Sequence, residues 1–210
     1  MSIASLLRDS WMAREAKMAR PREFDETAAL EAAVACFWSR GYEATSVRDL
    51  AENMGLSAPS LYNAYGDKHA LFVQALEHYL DRSMRERIER LEHTVPPKQA
   101  IREFIREIIE HSVNDRERRG CFLVNSALEV APHDKKLSEL IADRLAELEA
   151  FFARLVRKAQ VEGTVPRKPV AKDLARLLLG IVLGIRVLAR VRPERASLES
   201  LARPVLALLD

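Results

Sequence analysis

Apolar residues recur at steps of three and four along most of the chain, and no segment alternates cleanly over strand length. That periodicity predicts helices throughout. The first runs from Asp25, a good N-cap, to about Arg40, with Leu30, Ala33, Val34, Phe37 and Trp38 as its stripe and Gly41 as its stop. A second begins at Thr45 or Ser46 and ends at Met54, and a third begins at the Ser57 cap with Pro59 in its first turn. Asp67 caps a fourth, whose stripe is Leu71, Phe72, Ala75, Leu76, Tyr79 and Leu80 and which Pro96-Pro97 ends. Longer amphipathic helices follow at about 98–117, 120–131, 134–162, 170–191 and 197–209, broken at Gly120, Pro132, Gly163 to Pro169 and Pro193. The expected fold is all-α: a small three-helix N-terminal module joined to a larger helical bundle.

Between the second and third helices the spacing is that of a helix-turn-helix. Ala51 is small, Gly55 follows four residues later, and Leu61 lies six further on. Two short helices crossing steeply need a small residue where they touch and a left-handed turn between them. Val47, Leu50, Met54 and Leu56 are apolar where both helices face a third, which leaves Ser57, Ser60 and Asn63 to point outward. Duplex DNA is the partner this arrangement implies.

Composition narrows the alternatives. With 210 residues and 48% apolar content the chain can bury one large or two small cores. Cys36 and Cys121 lie in separate apolar helical runs, which argues against a disulfide framework and for a reducing, cytoplasmic setting. The most apolar run, Leu177 to Leu188, is interrupted by Arg186, so no membrane span is expected, and Met1 to Leu7 is too short and polar for a secretory signal. Net charge is +2, and residues 1–70 hold eight Lys/Arg against ten Asp/Glu, which neither supports nor excludes a basic face. Residues 1–17 read as a tail, with either Met1 or Met18 as the start, and Met18 to Arg22 as a basic arm able to reach phosphates.

From Thr45 to Lys68 the chain reads TSVRDLAENMGLSAPSLYNAYGDK. With Phe37 and Gly41-Tyr42, this closely resembles the DNA-binding domain of the TetR/AcrR family of one-component regulators, over about Pro21 to Phe72. Gly120 to Asn125, GCFLVN, looks like a sequence found in one subset of that family. Ala64 departs from it, since many members carry histidine there. The resemblance implies a flexible extension over 1–20, a DNA-binding domain over 21–68, and an effector-binding and dimerisation domain over 69–210. It further implies a homodimer through 170–191 and 197–209, with the third helix in the major groove and Thr45 or Ser46, Tyr62, Tyr65 and Lys68 on phosphates. Base reading then falls to Ser57, Ala58, Pro59, Ser60 and Asn63, whose short side chains favour modest discrimination. Such a protein is a ligand-responsive regulator, a repressor on this reading. A small-molecule effector tilts the fourth helix and releases the protein from a palindromic operator with half-sites about one helical turn, roughly 34–36 Å, apart.

Polar residues inside apolar helical runs mark candidate effector contacts. Cys121, Asn125 and Glu129 fall at successive i,i+4 steps on one face, and His111, Phe122 and Phe151 are placed to join them. Each has a plainer alternative as core amide, surface charge or packing residue. Cys121 follows Arg118 and Arg119 near a helix start, so a cysteine-based sensor of electrophiles or oxidants is a second possibility. A third is a helical small-molecule carrier without DNA function. No catalytic motif, no cofactor fingerprint and no histidine spacing suited to a metal is present in the sequence. Leu174, Leu178, Ile181 and Ile185, with Gly180 and Gly184 four apart, give the penultimate helix an apolar face of close approach, to which Leu198, Leu201, Val205 and Leu208 add.

Overall fold

The computed structural model describes residues 24–210, and among these every regular element is helical. The tail and arm expected over 1–22 lie outside the described residues. Three helices make the N-terminal module: α1 (Glu26–Arg40), α2 (Val47–Met54) and α3 (Ala58–Tyr65). Their starts are fixed by side-chain caps. The Asp25 carboxylate accepts from the amides of Thr27 and Ala28, Ser46 and Asp49 form a reciprocal capping box, and Ser57 accepts from Ser60 N. Between α2 and α3, Gly55 sits at φ 66 and ψ 28, while Leu56 N reaches back to Ala51 O at 2.9 Å and Gly55 N to Glu52 O at 3.3 Å. This doubly bonded left-handed turn closes the helix and sets the angle at which α3 leaves it.

The next helix differs from its expected single run. α4 (Lys68–Leu80) passes into a π-turn at Asp81–Arg85 before α5 (Glu86–Thr94) resumes α-helical bonding. The segment holds no proline or glycine, so periodicity alone reads straight through it, yet the extra residue rotates the following face. Arg87 donates to the Ser83 carbonyl at 2.7 Å within this stretch. α6 (Pro97–Asn114), α7 (Phe122–Glu129), a 3-10 turn at Ala131–His133, α8 (Lys135–Val161), α9 (Ala171–Leu188) and α10 (Arg195–Ala207) complete the chain. Each lies within a few residues of its expected range, with ends shortened where loops take over.

Burial divides into two clusters. One gathers Phe37, Leu50, Leu61, Tyr65, Leu71 and Phe72 of the N-terminal module, and extends to Phe122, Val130, Leu137 and Ile141. The other packs α5, α6, α8, α9 and α10 around Phe104, Phe151 and Phe152, whose ring centroids lie 5.2 to 5.6 Å apart. α8, about 40 Å long at 1.5 Å per residue, reaches into both: Leu137 and Ile141 in the first, Leu148 to Ala159 in the second. The first cluster therefore continues past Lys68.

An added Cβ at Gly55 meets nothing within 4 Å, so its requirement is conformational rather than spatial. Gly55→Ala is expected to lower stability by about 1 kcal/mol and Gly55→Asn by less, because asparagine tolerates the left-handed region. Urea denaturation checks this; equal losses for the two variants would place the cost in packing instead.

Candidate nucleic-acid interface and effector cavity

α3 presents a polar, solvent-facing ridge. Ser57, Pro59, Ser60 and Asn63 are exposed, Tyr62 is 50% exposed, and Ala58 is half-buried, while Leu61 and Tyr65 turn into the core. Ser57 and Ser60 hydroxyls lie 2.8 Å apart, so each already shares one hydrogen-bonding site with the other. Ser46, at the head of α2, is also exposed. Lys68 opens α4 with its Nζ 4.4 Å from the centre of the Tyr42 ring and 3.5 Å from the Glu43 carbonyl, which it can donate to. This aromatic shelf holds the ammonium beside the start of α4.

Two residues expected on phosphates are placed elsewhere. Thr45 is 1% exposed and its hydroxyl donates to Gly41 O at 2.6 Å, closing the loop between α1 and α2. Tyr65 is buried with its ring 6.2 Å from that of Phe24. Both fall on the inner face because the loop and α3 must bury one side to pack on α1. Of the expected phosphate donors, Ser46, Tyr62 and Lys68 remain at the surface.

Charge on this module is locally balanced. Arg40 pairs with Asp49 at 2.6 Å and Arg48 with Glu52 at 3.1 Å. Hydrogen bonds from Ser46, then the Arg40 guanidinium, hold the Asp49 carboxyl at about 2, well below the usual range. Among the described residues of the module, Lys68 has no carboxylate within ion-pair distance.

Behind the module a small, mostly apolar cavity of about 60 Å³ lies between α4, α6, α8 and α9. Met84, Phe104, Ile108, Leu148 and Val182 form its apolar wall, and Tyr79, Arg87, His111, Cys121 and Arg186 its polar one. The π-turn matters here, since it carries Ser83 and Met84 onto this wall. Arg186 is 5% exposed. Its Nη1 donates to Ser112 Oγ at 3.0 Å and its Nη2 to the Gly120 carbonyl, and Cys121 and Tyr79 line the same cavity. Burial and the neighbouring arginines push His111 below its ordinary value, and burial pushes Tyr79 above its own.

Of the six side chains expected at an effector, His111 and Cys121 line this cavity. The other four do not, each for a definite reason. Phe122 turns toward the first core, with centroids 5.5 Å from Phe72 and 5.7 Å from Tyr79. Asn125 is satisfied, donating to Arg119 O at 2.9 Å and accepting from Arg190 at 3.1 Å. Phe151 belongs to the aromatic trio of the second core. Glu129 faces the N-terminal module, where it accepts from Glu43 N at 3.0 Å and rests where a Cβ on Gly41 would stand. Arg186 is the polar cavity-wall side chain that sequence reasoning did not place there. Its signal was available as the lone charge within an otherwise apolar run, a position that a surface helix rarely leaves to arginine.

α7 thus touches both sites. Cys121, its N-cap, is on the cavity wall, and Glu129, its last residue, holds the loop ahead of α2. A second link joins His69, in the first turn of α4, to Asp134, the N-cap of α8.

Comparison with known proteins agrees along the chain. The family model described as "Bacterial regulatory proteins, tetR family" matches residues 29–75, and "Tetracyclin repressor-like, C-terminal domain" matches 97–205. The uncharacterised HTH-type transcriptional regulator YezE of Bacillus subtilis is 33% identical over 195 residues, covering 92% of this chain and 100% of that protein. The HTH-type transcriptional repressor ComR of Escherichia coli is 32% identical over 92% of this chain and 91% of its own length. A cysteine mutant of the TetR family transcriptional regulator CifR, solved with a 26-base-pair double-strand operator DNA, superposes with a TM-score of 0.80 at 31% identity, covering 91% of this chain and 100% of that one.

Removing the Glu129 carboxylate is expected to free the Glu43 amide. In Glu129→Ala the hydrogen exchange of that amide rises by about tenfold, with α8 to α10 unchanged. Exchange at wild-type rate would show that the contact does not hold the loop.

Proposed function

Because the chain belongs to the TetR family of bacterial transcriptional regulators, we propose that it is a ligand-responsive DNA-binding repressor, released from a palindromic operator when a small molecule enters the cavity behind α4. The observation that carries this reading is continuity: α4 begins two residues after the recognition helix α3 and reaches the cavity wall with Tyr79 and Leu80. A ligand that prefers a wider cavity tilts α4 and moves α3 with it, and the differential affinity for the two positions sets the extent of release. α7 supplies a parallel route, from Cys121 to the Glu43 loop. The action on DNA places the protein in the compartment that holds the chromosome.

The dimer is formed by α9 and α10. Leu177, Val187, Val191 and Leu208 are large apolar side chains left exposed on or beside these helices. A Cβ on Gly184 would meet Leu201 of the same chain at ordinary contact distance, whereas a Cβ on Gly180 would meet nothing within 4 Å. Gly180 is thus free to admit a helix of a second copy, and the exposed apolar side chains are of the kind such an interface buries. Two copies present two α3 ridges to successive major grooves. Ser57, Ala58, Pro59, Ser60 and Asn63 face the base edges, and Ser46, Tyr62 and Lys68 the phosphates.

A second reading is favoured by one observation, that Cys121 lies on the cavity wall beside Arg186. On it the effector is an electrophile: the Cys121 sulfur adds to the β-carbon of an enone and the proton returns to the α-carbon. Iodoacetamide labelling tests its premise. Cys121 is expected to alkylate at least tenfold faster than Cys36, which is buried and whose thiol burial pushes up. Equal slow labelling removes this reading and leaves the first intact.

The primary test is fluorescence anisotropy on duplexes from the protein's own upstream region across a salt series. Tyr62→Ala and Lys68→Ala are each expected to weaken binding by about five- to thirtyfold, near 1–2 kcal/mol, and Lys68→Ala to make the salt slope shallower by about one. Wild-type affinity in both variants would remove α3 and the start of α4 from the interface.

A further inference from the structure

Arg186 is the one charged side chain that is buried among the described residues. Its two hydrogen-bond partners are neutral, the Ser112 hydroxyl and the Gly120 carbonyl. A buried guanidinium without a counter-charge is unfavourable unless something supplies one. Asp115 lines the adjoining hollow with Arg186, and its two oxygens are taken by Arg119 N at 2.7 Å and Arg119 Nε at 3.3 Å. The cavity itself is lined by two arginines and no carboxylate; Arg87 is paired outside it with Glu107 at 2.9 Å, which leaves Arg186 as the unanswered charge.

The adjoining spaces do hold acids, Asp115 in the smaller and Glu31 in the larger, but each is engaged by an arginine of its own, Arg119 and Arg82. Hollows of about 140 Å³ and 480 Å³ share His111 with the cavity, and Arg186 and Trp38 both line the smaller. Trp38 lines both hollows, and its indole Nε1 is buried without a hydrogen-bond partner. Indole can only donate, and guanidinium offers five N–H groups with no acceptor. Donors are therefore in surplus, and the missing component is an acceptor-rich group. His111 is depressed first by burial and then by Arg186, Arg87 and Arg119, with Asp115 opposing them, so the net field at the ring is positive.

We propose that the cavity binds its effector as an anion, a carboxylate on an apolar body, with the carboxylate accepting from Arg186 and from the Trp38 N–H and the body lying against Phe104, Ile108 and Val182. The inference rests on reading the cavity as the effector site. It narrows that reading to acids over their neutral congeners.

Matched pairs test it. Benzoate, phenylacetate, hexanoate and decanoate are each compared with the corresponding primary amide by calorimetry and by the NMR titration of His111 in wild-type protein. The expected result is saturable binding of at least one acid, tenfold or more tighter than its amide, with the His111 midpoint moving upward as the bound carboxylate offsets the arginine field. That preference falls to less than threefold in Arg186→Gln and weakens in Trp38→Phe, both taken on protein whose circular dichroism matches wild type. The His111 readout needs no variant, so poor folding of Arg186→Gln leaves the test intact. Equal binding of acid and amide, with His111 resonances perturbed, overturns the anionic assignment while the effector cavity stands. Absence of binding by every compound, in protein that still binds operator, overturns both.

Discussion

Phe122 is the side chain on which the two halves depend. It is fully buried between Phe72 and Tyr79 in edge-on contacts, at the first turn of α7, and so ties α7 to α4 inside the core of the DNA-binding module. Burying a phenylalanine contributes about 1.5–3 kcal/mol, and each aromatic pair adds about 0.5–1.5 kcal/mol. With that anchor in place, Cys121 is held at the cavity on one side, and the remaining turns of α7 carry Glu129 to the loop before α2. A side chain that the sequence suggests for ligand contact instead packs α7 onto α4.

Charge is handled differently in the two halves. In the module, Arg40 and Arg48 are matched to nearby carboxylates and the helix starts are closed by Asp25, Ser46, Ser57 and Asp67, so orientation comes from capped, well-packed helices more than from a broad positive field. In the bundle, surface arginines are matched as well: Arg154 to Glu92, Arg176 to Glu149 and Arg195 to Glu110. Such exposed pairs contribute little, about 0–1 kcal/mol each. Arg186 stands apart because it is removed from water and answered by dipoles alone. The desolvation of one such ion costs several kcal/mol, a cost the fold carries on the wall of the cavity between α4, α6, α8 and α9.

What the sequence by itself determined is the local layer: the helices, their caps, the left-handed turn at Gly55, the outward set Ser57, Ser60 and Asn63, and the family. These follow from interactions spanning about seven residues or fewer, and the periodicity and cap chemistry express them directly. The matched family models then extend the same identity over the C-terminal half, where local pattern alone says only that helices are present.

Tertiary structure alone decided which side of each helix the chemistry falls on. Cys121, Asn125 and Glu129 share a helical face by spacing, yet α7 is wedged between two cores, so its ends address different sites and Asn125 is consumed between Arg119 and Arg190. Thr45 and Tyr65 turned inward because packing on α1 claims one side of the loop and of α3. The π-turn at Asp81–Arg85 carries no breaker residue, and Arg186 reads as a surface interruption until α6, the Gly120 loop and α9 close around it. Those outcomes depend on contacts between residues 65 to 86 positions apart in the chain, and no window of local periodicity holds both partners at once.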